Sequence, residues 1–287
     1  MRKSERTLGL PLFKLIRRSR LSSKNFPSPS QNFFLAVSSW LRSMPIHAVG
    51  ISSWRPVTFH SARSRGIPAR PISVKRWGST AMLLLLNGQW ELALQAGVFS
   101  IFNMSAPSGS RDLVNADYTV GLLTSYRIGP FSGFLRLHHQ SSHLGDEFIL
   151  NSQTPVKRVN LSFEEVDLKV SYELASWFRI YGGGGMLVGR DLKDLTRGTS
   201  QVGVELTSPW TLWDGKMRPV AYADFQANER SNWRVAGSVM AGLQFENARI
   251  GDRRLQVLAE YVGGPSPNGQ FYTQNTEWIG VGIHLYY

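Results

Sequence analysis

Residues 138 to 147 hold the densest set of reactive side chains in the sequence: His138, His139, Gln140, Ser141, Ser142, His143, Leu144, Gly145, Asp146 and Glu147. They continue a strand pattern that begins with Phe134, Leu135, Arg136 and Leu137. Side chains two apart on a strand point the same way, so His139, Ser141 and His143 share a face with Leu135 and Leu137. His138, Gln140 and Ser142 fall on the other face with Phe134 and Arg136. A histidine and a serine placed this way come within reach of each other, the requirement for base-activated nucleophilic attack. A divalent metal held by His139, His143 and Asp146 is the competing chemistry. Positions i and i+4 of a strand lie about 13 Å apart at about 3.3 Å per residue, which disfavours direct co-ligation by the two histidines.

A third member is available on the next strand. Val166, Leu168, Val170 and Tyr172 mark its apolar face, and counting back in twos reaches Glu164, Ser162 and Asn160. If His143 pairs with Arg158 across the loop, antiparallel register sets Ser141 opposite Asn160 and His139 opposite Ser162. An asparagine there orients the imidazole. The expected catalytic set is therefore Ser141 as nucleophile, His139 as general base and Asn160 as the orienting group.

The elements that must carry these residues read as strands throughout the second part of the chain. Ala116, Tyr118, Val120, Leu122, Thr124 and Tyr126 alternate with Asp117, Thr119, Gly121, Leu123, Ser125 and Arg127, giving one apolar face and one mixed face. Ten such runs are expected, at about 89–102, 115–127, 131–143, 158–173, 177–188, 200–208, 218–227, 233–246, 254–263 and 276–287. Most have the roughly 9 to 14 residues that a tilted strand needs to cross a bilayer. Long connections alternate with very short ones, the asymmetry of external loops and periplasmic turns. In the last run Ile279, Val281, Ile283, Leu285 and Tyr287 lie opposite Gly280, Gly282 and His284. This ending resembles the C-terminal signal read by the barrel assembly machinery. A soluble sandwich or lipocalin-like barrel would alternate equally well; strand length and interfacial aromatics favour the membrane, and backbone satisfaction in lipid then demands closure. The fold expected is all-β, an antiparallel transmembrane-type β-barrel of about 10 to 12 strands over 88–287, with residues 138–147 at its external end. Arg127, Arg136, Asp167, Lys169, Arg234 and Glu260 are expected to point into the lumen. The glycines at 182–185 lack a following Lys-Ser/Thr and read as close packing or a bend.

Charge separates the first 87 residues from the rest. Residues 1–86 hold 15 Lys/Arg and the single acid Glu5, whereas 87–287 hold 17 Lys/Arg and 19 Asp/Glu. The basicity that would otherwise suggest nucleic acid thus sits in a segment rich in Arg, Ser and Pro without periodicity, expected to be disordered or misread in frame. A basic arm binding acidic lipid or nucleic acid is the alternative for it. No convincing export signal is visible, since Pro11 and Lys14 interrupt the apolar run there. Cysteine is absent, which removes disulfides and thiolate nucleophiles from consideration.

At His139, Gln140 and Ser141 the sequence resembles outer-membrane phospholipase A and lipid A deacylase, which carry His-x-Ser on an outward-facing strand. The phospholipase motif continues Asn-Gly, where this chain has Ser142 and His143. That resemblance implies hydrolysis of acyl esters in outer-leaflet lipid, an Asn on the following strand as Asn160 would be, and calcium near the oxyanion, for which Asp146 and Glu147 are the nearest ligands. Over 90–287 the chain also resembles an uncharacterised bacterial family of predicted outer-membrane proteins. The residues behind this are NADY at 115–118, HQSSHLGDE at 139–147, NLSFE at 160–164, YGGG at 181–184 and PNGQF at 267–271. The partners expected are outer-membrane lipid or lipopolysaccharide, the assembly machinery and, as an open option, a second copy in a homodimer. No nucleic acid is expected, and the localisation implied is the bacterial cell outer membrane. A structural barrel or narrow channel is the non-enzymatic alternative.

Overall fold

The computed structural model describes residues 58–62, 71–86, 89–103, 112–151, 158–250 and 253–286. Twelve strands follow in order: β1 (Thr58–Ala62), β2 (Pro71–Leu86), β3 (Trp90–Asn103), β4 (Asp112–Ile128), β5 (Phe131–Leu144), β6 (Leu161–Ala175), β7 (Phe178–Arg190), β8 (Gly198–Thr207), β9 (Met217–Asn228), β10 (Val235–Ile250), β11 (Arg253–Pro265) and β12 (Asn275–Tyr286). A short helix, α1 (Asp146–Asn151), follows β5. Each strand pairs antiparallel with its neighbour in sequence, and β1 pairs with β12, so the sheet closes into a barrel. Closure leaves no free edge, which is what a sheet surrounded by hydrocarbon requires.

The ten expected runs coincide with β3 to β12, with ends that differ by a few residues. The expectation that strands begin only near residue 88 needs correction, because β1 and β2 lie upstream and complete the wall. A register shift between Met82 and Leu84 shows why β2 escaped the pattern: a bulge moves the phase of alternation in the middle of the leucine run. The remainder of 1–87 and the terminal Tyr287 lie outside the described residues.

Burial follows the alternation. Along β5 Phe134, Arg136, His138, Ser142 and Leu144 are buried, while Leu135, Leu137 and His143 are exposed. Leu92, Leu94, Val120, Leu122, Leu168, Val170, Val202, Val239, Ile279 and Val281 are likewise exposed, forming an outward apolar band. Aromatic pairs border it where the short turns lie, with Trp90 against Tyr126 (centroids 4.6 Å apart), Phe131 against Tyr172 (4.5 Å) and Trp177 against Phe178 (5.8 Å). Tyr118, Trp233, Phe225 and Tyr261 are exposed aromatics nearer the other end. An apolar band between aromatic girdles is the profile of a barrel wall facing lipid.

The lumen is polar and filled. Arg136 Nε donates to Asp167 Oδ2 at 2.7 Å, with both side chains only 2% exposed, and Lys169 Nζ lies 3.5 Å from Asp167 Oδ1. Arg179 pairs with Glu205, Tyr181 and Gln201 donate to Asp224, and Gln256 bridges Gln244 and Tyr222. A Cβ on Gly183 would meet the Lys169 side chain at 2.8 Å, and one on Gly185 would meet Glu165 Oε1 at 2.5 Å, so the glycine run serves close packing. Arg136, Asp167, Lys169 and Glu260 point inward as expected. Arg234 does not, since it precedes β10, is exposed and donates to Asn275 Oδ1 at 2.8 Å.

Candidate active site

His139 and Ser141 lie on the outward face of β5, near the end that carries the longer connections and α1. Register surrounds them with specific neighbours. On the β4 side Val120 stands beside His139 and Tyr118 beside Ser141. On the β6 side Glu164 stands beside His139 and Ser162 beside Ser141. His139 Nδ1 is 2.8 Å from Glu164 Oε1, a hydrogen bond between side chains 41% and 46% exposed, so the pair is reachable from outside the barrel. His143, one step further along the face, packs edge-on to the Tyr118 ring at 5.8 Å.

The structure therefore corrects the third member. β6 sits two residues away from the expected register, which brings Glu164 rather than Ser162 opposite His139. Asn160 precedes the strand, is exposed and donates from Nδ2 to Asp191 Oδ2 at 3.1 Å. Alternation is unchanged by a slip of two residues, so counting in twos could not separate the two registers; α1 follows β5, and β6 begins at Leu161. The carboxylate that does meet the imidazole was visible in the sequence as one of the residues passed over when counting back in twos.

Space for that carboxylate comes from β7. A register shift between Glu164 and Glu165 makes Gly189, not Val188, the neighbour of Glu164. A Cβ at Gly189 would fall 2.0 Å from Glu164 Oε2. The bulge thus places the one residue without a side chain beside the acid that holds His139.

Directly behind, the inner face of β5 is anchored to the connection between β11 and β12. Asp117 accepts from the Gly269 amide at 3.1 Å and from Ser142 Oγ. Gln270 Nε2 donates to the carbonyls of Ser142 (2.7 Å) and Val159 (2.8 Å), while its Oε1 accepts from the Val159 amide at 3.1 Å. Phe271 packs against Phe148 of α1 at 5.9 Å. Residues 115, 117, 142, 269 and 270, all within stretches that the sequence singled out, thus meet in one polar latch across the mouth of the lumen. Outside the strands, Glu229 is held below the usual carboxylate range by the backbone amides of Gly198 and Arg197.

Asp146 and Glu147, the calcium ligands that the resemblance implied, lie side by side at the start of α1. Both are exposed in the first turn of α1, where their charge suits the positive end of the helix. Among the described residues no group of three or more His, Cys, Asp or Glu side chains stands close enough to share a metal.

A closed antiparallel barrel with an outward apolar band, aromatic girdles and a polar filled lumen defines an outer-membrane-type β-barrel protein. Within that class the chain belongs to the family described as "Protein of unknown function (DUF1207)", whose model matches residues 80–287. The fold is similar to outer membrane phospholipase A from Escherichia coli, with a TM-score of 0.59 and 13% identity over 86% of this chain and 97% of that one. It is also similar to the Salmonella typhi outer membrane phospholipase dimer with bound calcium, with a TM-score of 0.58 and 12% identity over 88% and 96% of the two chains. No curated protein matches the sequence. Identities this low carry the fold alone.

Proposed function

We propose that this barrel sits in the bacterial outer membrane and hydrolyses acyl esters of outer-leaflet lipid from its outward face, with Ser141 as nucleophile, His139 as general base and Glu164 as the orienting acid. The observation that carries the reading is the 2.8 Å bond from His139 Nδ1 to Glu164 Oε1 with Ser141 two residues along the same face. With Nδ1 committed to the carboxylate, Nε2 is the nitrogen left to take the Ser141 proton. The serine oxygen attacks the ester carbonyl, the imidazolium protonates the departing alcohol, and water then releases the fatty acid from the acyl-serine with His139 again acting as base. Among the hydrogen bonds of the described residues none joins Ser141 to His139, an arrangement that substrate binding commonly tightens. The fold likeness to two outer membrane phospholipases supports the same reading. Outer-leaflet phospholipid or lipopolysaccharide, the barrel assembly machinery and a second copy of the chain are the partners this role implies.

The channel alternative has less support, because buried ion pairs fill the lumen and the latch at 269–270 crosses its mouth. The deciding experiment measures fatty-acid release from phospholipid and lipid A substrates by the refolded chain, with and without calcium. Wild type is expected to hydrolyse one of them, Ser141→Ala and His139→Ala to lose at least a hundredfold, and Asn160→Ala to retain full rate. Equal rates in wild type, Ser141→Ala and His139→Ala would leave a structural barrel as the reading.

A further inference from the structure

The backbone pairing around Ser141 is lopsided. β5 keeps its register with β4 as far as Asn115↔Leu144, whereas its register with β6 stops at Ser142↔Leu161, one residue past Ser141. There the chain leading into β6 turns sharply, and the Leu161 amide donates back to the Val159 carbonyl at 3.0 Å. A strand that parts from a neighbour gives up rungs of its ladder, and each buried backbone group at the gap needs another partner. A nucleophile beside such a gap is sensitive to it, because a misplacement of about 1 Å costs on the order of a hundredfold in rate.

One side chain spans this gap. Gln270, in the connection between β11 and β12, donates from Nε2 to the Ser142 carbonyl at 2.7 Å and to the Val159 carbonyl at 2.8 Å, and its Oε1 accepts from the Val159 amide at 3.1 Å. Both N–H groups and the oxygen are thereby engaged, and the Val159 amide fixes which way round the side chain sits. A primary amide offers the same kinds of donor and acceptor as a peptide group, so Gln270 stands in for a further rung between β5 and the lead into β6. It is held in turn from β4, the strand that stays paired. Its own amide donates to Asn115 Oδ1 at 3.4 Å, the preceding Gly269 amide donates to Asp117 Oδ2 at 3.1 Å, and Phe271 packs with Val114 and Leu144. β4, β5 and the lead into β6 are thus tied together at the level of Ser141.

We propose that Gln270 is a positioning residue for the outward site: through the Ser142 carbonyl it sets where the Ser141 hydroxyl stands relative to His139 and Glu164. The inference rests on the hydrolase reading of that face. Gln270 is buried on the lumenal side and meets no lipid, so its effect reaches the reaction only through the backbone of β5. Acyl chains lie against Val120, Leu122 and Leu137, which Gln270 does not touch, so its loss falls on turnover and spares substrate affinity.

Kinetics of lipid hydrolysis by the full chain refolded in detergent micelles test this, together with amide hydrogen exchange. Gln270→Leu, which keeps the size and removes all three bonds, should lower kcat at least tenfold with KM unchanged. Amides of residues 141–144 and 159–162 should exchange at least tenfold faster in that variant, and those of 134–138 at the wild-type rate. Gln270→Glu keeps the acceptor for Val159 but can donate to Ser142 only when protonated. Its kcat relative to wild type at the same pH should therefore be highest in acid and fall as pH rises, which applies whether or not Gln270→Leu refolds. Asn268→Ala, whose side chain bonds only Ser266 within the same connection, should retain full rate. Wild-type hydrolysis with an unchanged kcat in Gln270→Leu, or a Gln270→Glu ratio independent of pH, would overturn the positioning role and leave the hydrolase reading standing. A wild type that hydrolyses no lipid would overturn both, whatever the exchange rates show.

Discussion

His138 and His139 are neighbours in the chain and live under opposite constraints. His138 is 5% exposed on the lumenal face, set between Glu165 and Asp167 with the Phe163 ring 6.4 Å away. His139 is 41% exposed and has one acceptor, Glu164. A strand's period of two separates these environments by a single residue. The inner face of β5 is a polar network in which each group supports others, so its substitutions register as stability. The outer face is sparse, and its substitutions should register as activity.

The contrast breaks most visibly at Arg136. Arg136→Met removes the 2.7 Å partner of Asp167 and leaves it Lys169 at 3.5 Å and His138 at 3.6 Å, so it should lower unfolding free energy by about 3 kcal/mol, the lower end for breaking a buried pair, read as a shift in urea midpoint for the refolded barrel. A loss under 1 kcal/mol would mean the inner network is not cooperative. On the outer face, Glu164→Gln should cut hydrolysis about a hundredfold, within the range of general-base effects, while stability moves by no more than about 0.5 kcal/mol. Parallel losses of both would erase the division between faces. Gly269→Ala comes next, since its Cβ would meet Ser142 Oγ at 2.5 Å and Asp117 Oδ1 at 2.9 Å. It should cost about 1–3 kcal/mol by overpacking the latch and expose residues 266–274 to protease. Gly189→Ala should displace only the far end of Glu164 and reduce kcat about tenfold with KM unchanged, and pairing it with Glu164→Asp should recover part of the rate.

The smallest effect is expected at Glu229, where the folded carboxyl titrates below its ordinary value of 4.5 because two backbone amides hold it. Its contribution is complete above the unfolded value and disappears as pH falls through the lower folded one. The Arg197 and Gly198 amide resonances should therefore stay fixed from neutral pH to about 5 and shift only under stronger acid. Movement near neutrality would assign the contact to another group.

The wall of the barrel was largely legible in the sequence because alternation reports directly on which side chains face lipid. Leu135 and Leu137 against Arg136 and His138 fix the phase of β5, and the structure keeps it through His143. Register was not legible in the same way. Alternation is unchanged by a slip of two residues, so the pattern in β6 served equally well with Ser162 or Glu164 opposite His139, and only the observed pairing separates them. β2 was lost to a different cause, a bulge that resets the phase among leucines that carry no polar marker. Gln270 gave no local signal either, because a polar residue in a connection ordinarily points to water and nothing beside it says that this one turns inward.

A face that looks outward from a barrel wall has a different measure of concentration from one that looks into a lumen. Whatever meets His139 and Glu164 arrives by lateral diffusion within a film, so its encounter rate follows its mole fraction among the surrounding amphiphiles and not its amount per litre. Adding inert detergent at constant bulk substrate should slow such a site by surface dilution, while leaving any exchange through the mouth of the lumen untouched.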